Sequence, residues 1–203
     1  MLVTGGYHKG DKPSLLYSPR VGWTAYPQIP VKTGHHCQVT IGDTTFIAGG
    51  WTRDGKTGAT YKSTNGGQWV QLTPMQTPRK NHACAEWDGK FLAIGGDDWN
   101  GSDDPGQGRL SSVESYDTVA NKWSLFTPLP KPMKFLQAVA YKGLYVLGGE
   151  SPDPEWNKVV YQLRPGSDQW QILPGVSVEV YSGHGDTFPV FPAVVFNNLH
   201  CKR

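Results

Sequence analysis

A pair of glycines closing a short apolar run recurs along this chain at Gly5-Gly6, Gly49-Gly50, Gly95-Gly96 and Gly148-Gly149, at intervals of 44, 46 and 53 residues. The runs are Leu2-Val3-Thr4, Phe46-Ile47-Ala48, Phe91-Leu92-Ala93-Ile94 and Leu144-Tyr145-Val146-Leu147. Each has strand length and is too short for a helix. A tyrosine follows every pair (Tyr17, Tyr61, Tyr116, Tyr161), and a tryptophan follows every tyrosine (Trp23, Trp69, Trp123, Trp170). Such a period, with an unchanging internal order, marks one supersecondary unit copied four times. Units of this kind bury their apolar faces against their neighbours, because one alone has nothing to cover it.

The spacing locates the irregularities. From each Trp to the next glycine pair the distance is 26, 26 and 25 residues. From the second glycine to the Tyr it is 11, 11, 20 and 12, which places one insertion of about nine residues between Asp97 and Ser111. Paired glycines admit positive φ and close backbone approach where a strand ends. A large Tyr and Trp per unit would fill the space between neighbouring sheets, each covering on the order of 150–250 Å². The chain carries 25 Gly, 16 Pro and 8 Trp, a composition of many short strands joined by tight turns rather than of long helices.

The opening Pro78-Arg79-Lys80-Asn81-His82-Ala83, then Asp88-Gly89-Lys90 before Phe91 to Gly96, with the Tyr and Trp behind, resembles a repeat of the kelch family. The resemblance covers essentially the whole chain. A sialidase-type Asp-box, suggested by Ser63-Thr64-Asn65-Gly66-Gly67-Gln68-Trp69, occurs in one repeat only and carries Asn where Asp is required. The kelch resemblance implies an all-β fold, a β-propeller of four-stranded antiparallel blades, in one domain spanning residues 1–203. The blades are drawn at about 35–74, 81–128 and 135–174, with a partial blade at 1–28 and the first strand of a further or closing blade at about 191–198. Either the strand at 193–196 pairs with residues 2–4 and closes a ring of about four blades, or the chain is a section of a larger propeller. Leu199-His200-Cys201, which reads as the start of a second strand, favours the section.

Charge and cysteine content narrow the function classes. The net charge is +2, from 19 basic and 17 acidic side chains, which leaves no nucleic-acid footprint at chain level. Apolar runs such as Phe191 to Phe196 fall far below the roughly 20 residues a membrane-spanning helix needs. Cys37, Cys84 and Cys201 form no CxxC pair. Their odd number leans towards a reducing, cytoplasmic setting over an extracellular one.

In a propeller, the loops between second and third strands and those between blades emerge on one face, a common partner-binding face in kelch proteins. The second-to-third loops here begin at Tyr7, Trp51, Asp97 and Glu150; the first two lean basic and the last two acidic. Trp51, Trp99 and Trp156 stand on these loops outside the repeat positions, and aromatic anchors are typical of binding sites. Trp51, Arg53, Arg79, Asp98, Trp99 and Trp156 are therefore the expected partner-binding residues, and the tyrosines, tryptophans and glycines of the repeat are architecture.

No catalytic residue, cofactor or metal is expected. Asp98, Asn100, Ser102 and Asp104 alternate like calcium ligands, but Asp103 stands where the tight-turn Gly is needed and Arg109 where the bidentate Glu belongs. His36 and His82, with Cys37 and Cys84 nearby, could gather soft ligands near an axis, or simply start their strands. The leading function is a scaffold that binds a protein partner, without nucleic acid or membrane. The alternatives are an enzyme of the copper-radical oxidase or sugar mutarotase kind, which also use kelch propellers, and a truncated propeller with no independent function.

Overall fold

A computed structural model of the chain describes residues 2–4, 14–99, 108–153 and 158–173. The described residues form antiparallel β-structure without a helix longer than one turn. A three-stranded sheet comes first, with order β1 (Leu2–Val3), β2 (Ser14–Ser18), β3 (Gly22–Tyr26). The second sheet is β4 (Cys37–Ile41), β5 (Thr44–Ala48), β8 (Thr60–Thr64), β9 (Val70–Leu72), with a small hairpin, β6 (Trp51–Thr52) and β7 (Gly55–Lys56), in its middle loop. The third is β10 (Ala83–Trp87), β11 (Lys90–Ile94), β12 (Val113–Asp117), β13 (Lys122–Phe126). The fourth is β14 (Gln137–Ala140), β15 (Leu144–Leu147), β16 (Val160–Leu163), β17 (Trp170–Ile172). The expected all-β architecture of four-stranded antiparallel units holds.

Strand β4 packs beside β10, and β10 beside β14, so the first strand of each four-stranded sheet lies innermost. The loops entering these strands are stitched together: Asn81 N donates to His35 O at 3.2 Å and Phe135 N to Asn81 O at 2.8 Å. His35, Asn81 and Phe135 occupy the same place in successive repeats, and all three adopt positive φ of 57°, 54° and 57°. A left-handed backbone at three non-glycine residues is costly and persists only where its surroundings impose it. Here the inter-sheet hydrogen bonds do so.

Between sheets the core divides into three layers. Tyr26, Ile47, Tyr61 and Trp69 fill the first gap; Phe46, Ala48, Met75, Phe91, Tyr116 and Trp123 the second; Leu92, Ile94, Val113, Leu136, Leu144, Val146, Tyr161 and Leu163 the third. The repeat Trp of the second, third and fourth sheets reaches back to the preceding sheet. Trp69 Nε1 donates to Pro27 O at 2.8 Å, Trp123 Nε1 to Thr73 O at 3.0 Å, and Trp170 Nε1 to Thr127 O at 3.2 Å. Every acceptor lies four residues past the preceding repeat Trp. The spacing of the sequence is therefore the spacing of one inter-sheet hydrogen bond, reused in each gap.

The glycine pairs have a steric reason. At the second glycine φ is 104°, 92° and 101° for Gly50, Gly96 and Gly149. A Cβ there would come 2.5 Å from the carbonyls of Gly34 and Lys80 at the first two and 2.8 Å from that of Lys134 at the third. The strand end crosses so close beneath the incoming loop that no side chain fits. Gly5, Gly6 and the strand expected at 193–196 lie outside the described residues.

Candidate partner-binding face

Where each strand passes its glycine pair, the next residue bridges to the loop entering the first strand: Gly34 to Trp51, Lys80 to Asp97, Lys134 to Glu150. These bridges place the middle loops and the inter-sheet loops on one side, and the turns within strand pairs, such as that at Val119, on the other. Position by position, the repeat offers Trp51, Asp97 or Glu150 opposite Gly34, Lys80 or Lys134.

Lys80 is the centre of this arrangement. Its Nζ lies 4.2 Å from the centroid of the Trp51 ring and 5.3 Å from that of Trp99. The two indoles come from neighbouring sheets, and both are half-buried. The same Nζ stands 3.7 Å from Asp97 Oδ1, an ion pair too long for a hydrogen bond, while Asn81 Nδ2 donates to Asp97 Oδ2 at 2.8 Å. With 13% of the Lys80 side chain exposed and 3% of Asp97, the pair is largely desolvated, so solvent screens it little and its attraction works against the cost of taking both charges out of water. Each cation–ring contact of this kind contributes about 0.5–2 kcal/mol as it loses water. Lys56 Nζ donates to the Asp98 carbonyl, tying the β6–β7 hairpin to the next sheet. On the fourth sheet the motif repeats: Lys134 Nζ is 3.6 Å from Glu150 Oε1, which Arg109 also pairs.

The expected site residues divide. Trp51 and Trp99 are brought together around Lys80. Arg53 stands exposed on the β6–β7 turn beside them, and Asp98 is half-buried, its N–H donating to Gly108 O at 2.8 Å. Trp156 lies outside the described residues. Arg79 is a correction, because its side chain is fully buried and its guanidinium is spent inside the fold. Nη1 donates to Gly95 O at 2.9 Å and Ser112 O at 2.8 Å, and Nη2 donates to Ser112 Oγ at 3.1 Å and Glu114 Oε1 at 2.8 Å. Glu114, equally buried, accepts from the Gln76 and Thr77 N–H groups at 2.8 and 3.0 Å. Arg79 thus clamps an inter-sheet loop to the third sheet and offers a partner nothing. The acidity expected of the last two loops is also partly cancelled, since Asp97 and Glu150 face their own lysines. Lys80 and Lys134 share a repeat position, as do Asp97 and Glu150, so aligning the repeats at the residue after Gly-Gly would have revealed the pairing.

Deeper, at the inner strands, Thr4 Oγ1 donates to Gln38 Oε1 at 2.9 Å and lies 3.0 Å from His36 Nε2, which must then be the donor to it. That leaves Nδ1 bare and buried, with the Thr33 backbone near but outside hydrogen-bond geometry. Burial, and then the neighbouring His35, hold His36 down to about 4 from 6.5. His82 is held well below its ordinary value, first by burial and then by Arg79 and His36; neither ring nitrogen reaches hydrogen-bond geometry. Cys84 Sγ donates to Gln38 O at 3.3 Å, Cys37 is buried, and both thiols are free. Among the described residues no three His, Cys, Asp or Glu are placed to hold a metal. No helix among them is long and apolar enough to cross a membrane.

The family model described as the Kelch motif matches residues 78–130, the stretch that enters, builds and leaves the third sheet. The chain is a kelch-repeat protein. Its sheets are blades of a kelch-type β-propeller. Among curated kelch relatives, Kelch-like protein 35 of Mus musculus is 29% identical over 154 residues, 74% of this chain and 25% of its own length. Alpha-scruin of Limulus polyphemus is 27% identical over 166 residues, 73% of this chain and 17% of its own. Kelch repeat and BTB domain-containing protein 8 of Danio rerio is 32% identical over 114 residues, 56% of this chain and 17% of its own. The chain thus spans a quarter or less of the length of these relatives. In fold it is similar to the solved structure of YjhT, with a TM-score of 0.63 at 16% identity, covering 80% of this chain and 52% of that one.

Proposed function

We propose that this kelch-repeat chain is a scaffold, not a catalyst, that binds a protein partner through the face on which Trp51, Lys80 and Trp99 meet. One observation carries the reading: two tryptophans outside the repeat, on neighbouring blades, flank a single lysine on that face. Half-buried indoles set on rigid blades lose little entropy on contact and make good anchors. The charged rim formed by Arg53, Lys56 and Asp98 would steer the encounter more than fix its strength. The face is built from loops held by inter-blade bridges, so it is organised before a partner arrives.

The test is comparative capture. The intact chain, the Trp51→Ala/Trp99→Ala variant and Val119→Asp, on the opposite side where Val119 is 95% exposed, are used as bait under identical conditions. A specific partner retained by Val119→Asp and lost by the double variant supports the reading. A partner lost equally from both, or retained by all three, overturns it.

A further inference from the structure

Two thiols face each other across the gap between the second and third blades. Within β4 the Gln38 side chain turns towards the first sheet, where it accepts from Thr4 Oγ1 at 2.9 Å and donates to Leu2 O at 3.2 Å. Strand alternation turns its neighbour Cys37 the other way, and Cys37 packs with Phe46, Ala48, Phe91 and Ala93 in the second gap. Within β10, Ala83 and Ala85 pack into the third gap. Cys84 between them turns back into the second, against the same cluster as Cys37. The cross-strand partners of the two cysteines are Ala48 and Ala93, both small. Cys84 Sγ reaches the carbonyl of Gln38, the residue next to Cys37, at 3.3 Å. Burial, and then contact with the Cys84 thiol, push the Cys37 thiol well above its ordinary value.

The repeat supplies a reference for this pair. Aligned on His36, His82 and Leu136, the positions of Cys37 and Cys84 are taken in the third gap by Ala83 and Ala138. Both alanines belong to that gap's apolar cluster. The two positions therefore meet across a gap wherever the repeat sets them, and a methyl group is enough to fill each. In the second gap both are cysteine. They stand on the innermost strands, and β4 and β10 come within 8 Å of each other between Cα atoms. A disulfide needs Cα atoms within about 7 Å and side chains directed at each other, which is the disposition of this pair.

We propose that Cys37 and Cys84 are a redox pair, which hydrogen peroxide converts into a disulfide joining the second blade to the third. Cys84 is half-buried where Cys37 is buried, so its sulfur is the one that meets the oxidant. It attacks one peroxide oxygen and the O–O bond breaks. The second oxygen leaves with the Cys84 proton as water, and Cys84 becomes a sulfenic acid. The Cys37 sulfur then attacks the Cys84 sulfur: the S–S bond forms, the S–O bond breaks, and the departing hydroxide takes the Cys37 proton as a second water. Two thiols and one peroxide give one disulfide and two waters, and a dithiol reverses the change. The bond ties the strands that follow Gly34 and Lys80, whose bridges to Trp51 and Asp97 hold the loops above. It locks these two blades together whatever binds there.

The test treats the reduced, intact chain with a small excess of hydrogen peroxide and compares it with the same sample after dithiothreitol. Peptide mapping by mass spectrometry should find Cys37 joined to Cys84. Urea unfolding should show a midpoint raised by about 1–2 M, which dithiothreitol returns to its starting value. Cys37→Ala/Cys84→Ala, the pair that the third gap uses, should show no such rise. Cys37→Ser should stop at the Cys84 sulfenic acid, trapped by dimedone. Should either variant unfold, the joined peptide from the intact chain carries the test alone. Cys37 and Cys84 thiols that stay free, oxygen added to Cys84 with no bond to Cys37, a bond through Cys201 or between chains, or a midpoint rise that persists in the double alanine variant overturns the proposal.

Discussion

Lowering the pH from 7 to 5 should cost this protein about 2 kcal/mol of stability through His36 alone. The residue is half-buried at the inner edge of the second blade, with its Nε2 committed to Thr4 and its Nδ1 buried and unpartnered, so the fold holds it neutral down to about 4 against 6.5 for the free side chain. A folded value below the unfolded one means that between these limits only the unfolded chain takes up the proton. Stability is complete above pH 6.5, falls as the pH drops, and levels off below about 4. Between pH 7 and 5 the linkage relation gives about 2 kcal/mol, which for a urea dependence of roughly 2 kcal/mol per molar lowers the midpoint by about 1 M. Carboxylates and His82 titrate in the same experiment, so the comparison is with His36→Leu, the residue the fourth blade uses at the equivalent Leu136. The variant forfeits the Thr4 hydrogen bond at every pH but has no proton to take up. Equilibrium urea unfolding followed by circular dichroism should show the gap between the two proteins narrowing by about 2 kcal/mol from pH 7 to 5. Parallel pH profiles would refute the reasoning.

Arg79→Ala should destabilise the chain by about 3–5 kcal/mol, because it strands the Glu114 carboxylate in the interior; Arg79→Ala/Glu114→Ala should cost clearly less than the two single changes added, read by chemical unfolding. Trp123→Phe removes the bonds to Thr60 and Thr73 at full burial and should cost about 1–3 kcal/mol, whereas Trp23→Phe, at 50% exposure, should stay within about 0.5 kcal/mol. Gly96→Ala, with a Cβ at 2.5 Å from the Lys80 carbonyl and φ of 92°, should cost well over the roughly 1 kcal/mol expected of Gly42→Ala, where φ is 60° and the space is open; comparative thermal unfolding would show it.

Much of the fold was legible from the order Gly-Gly, Tyr, Trp. The glycines mark where backbone passes under backbone, a constraint so tight that only one residue type satisfies it, and the Trp spacing follows the bond it makes to the blade before. Such local, repeated demands leave a signature that needs no tertiary context. The site was legible in half. Trp51 and Trp99 stood out because no repeat position explains them, but Arg79 did not announce its burial. An arginine in a loop opening reads as exposed until the carboxylate that neutralises it is known, and Glu114 lies 35 residues further on.

The chain's residues alone dictated strand, turn and period, because alternation, glycine and indole spacing act within one repeat or between consecutive ones. Which charges are paired inside the fold and which histidines stay neutral depended on distances across blades. Lys80 could have been a free cation by sequence; in the fold it sits between two rings and a carboxylate. Those outcomes are set by desolvation and by pairing between residues far apart in the chain, and only the assembled sheets bring both terms into play.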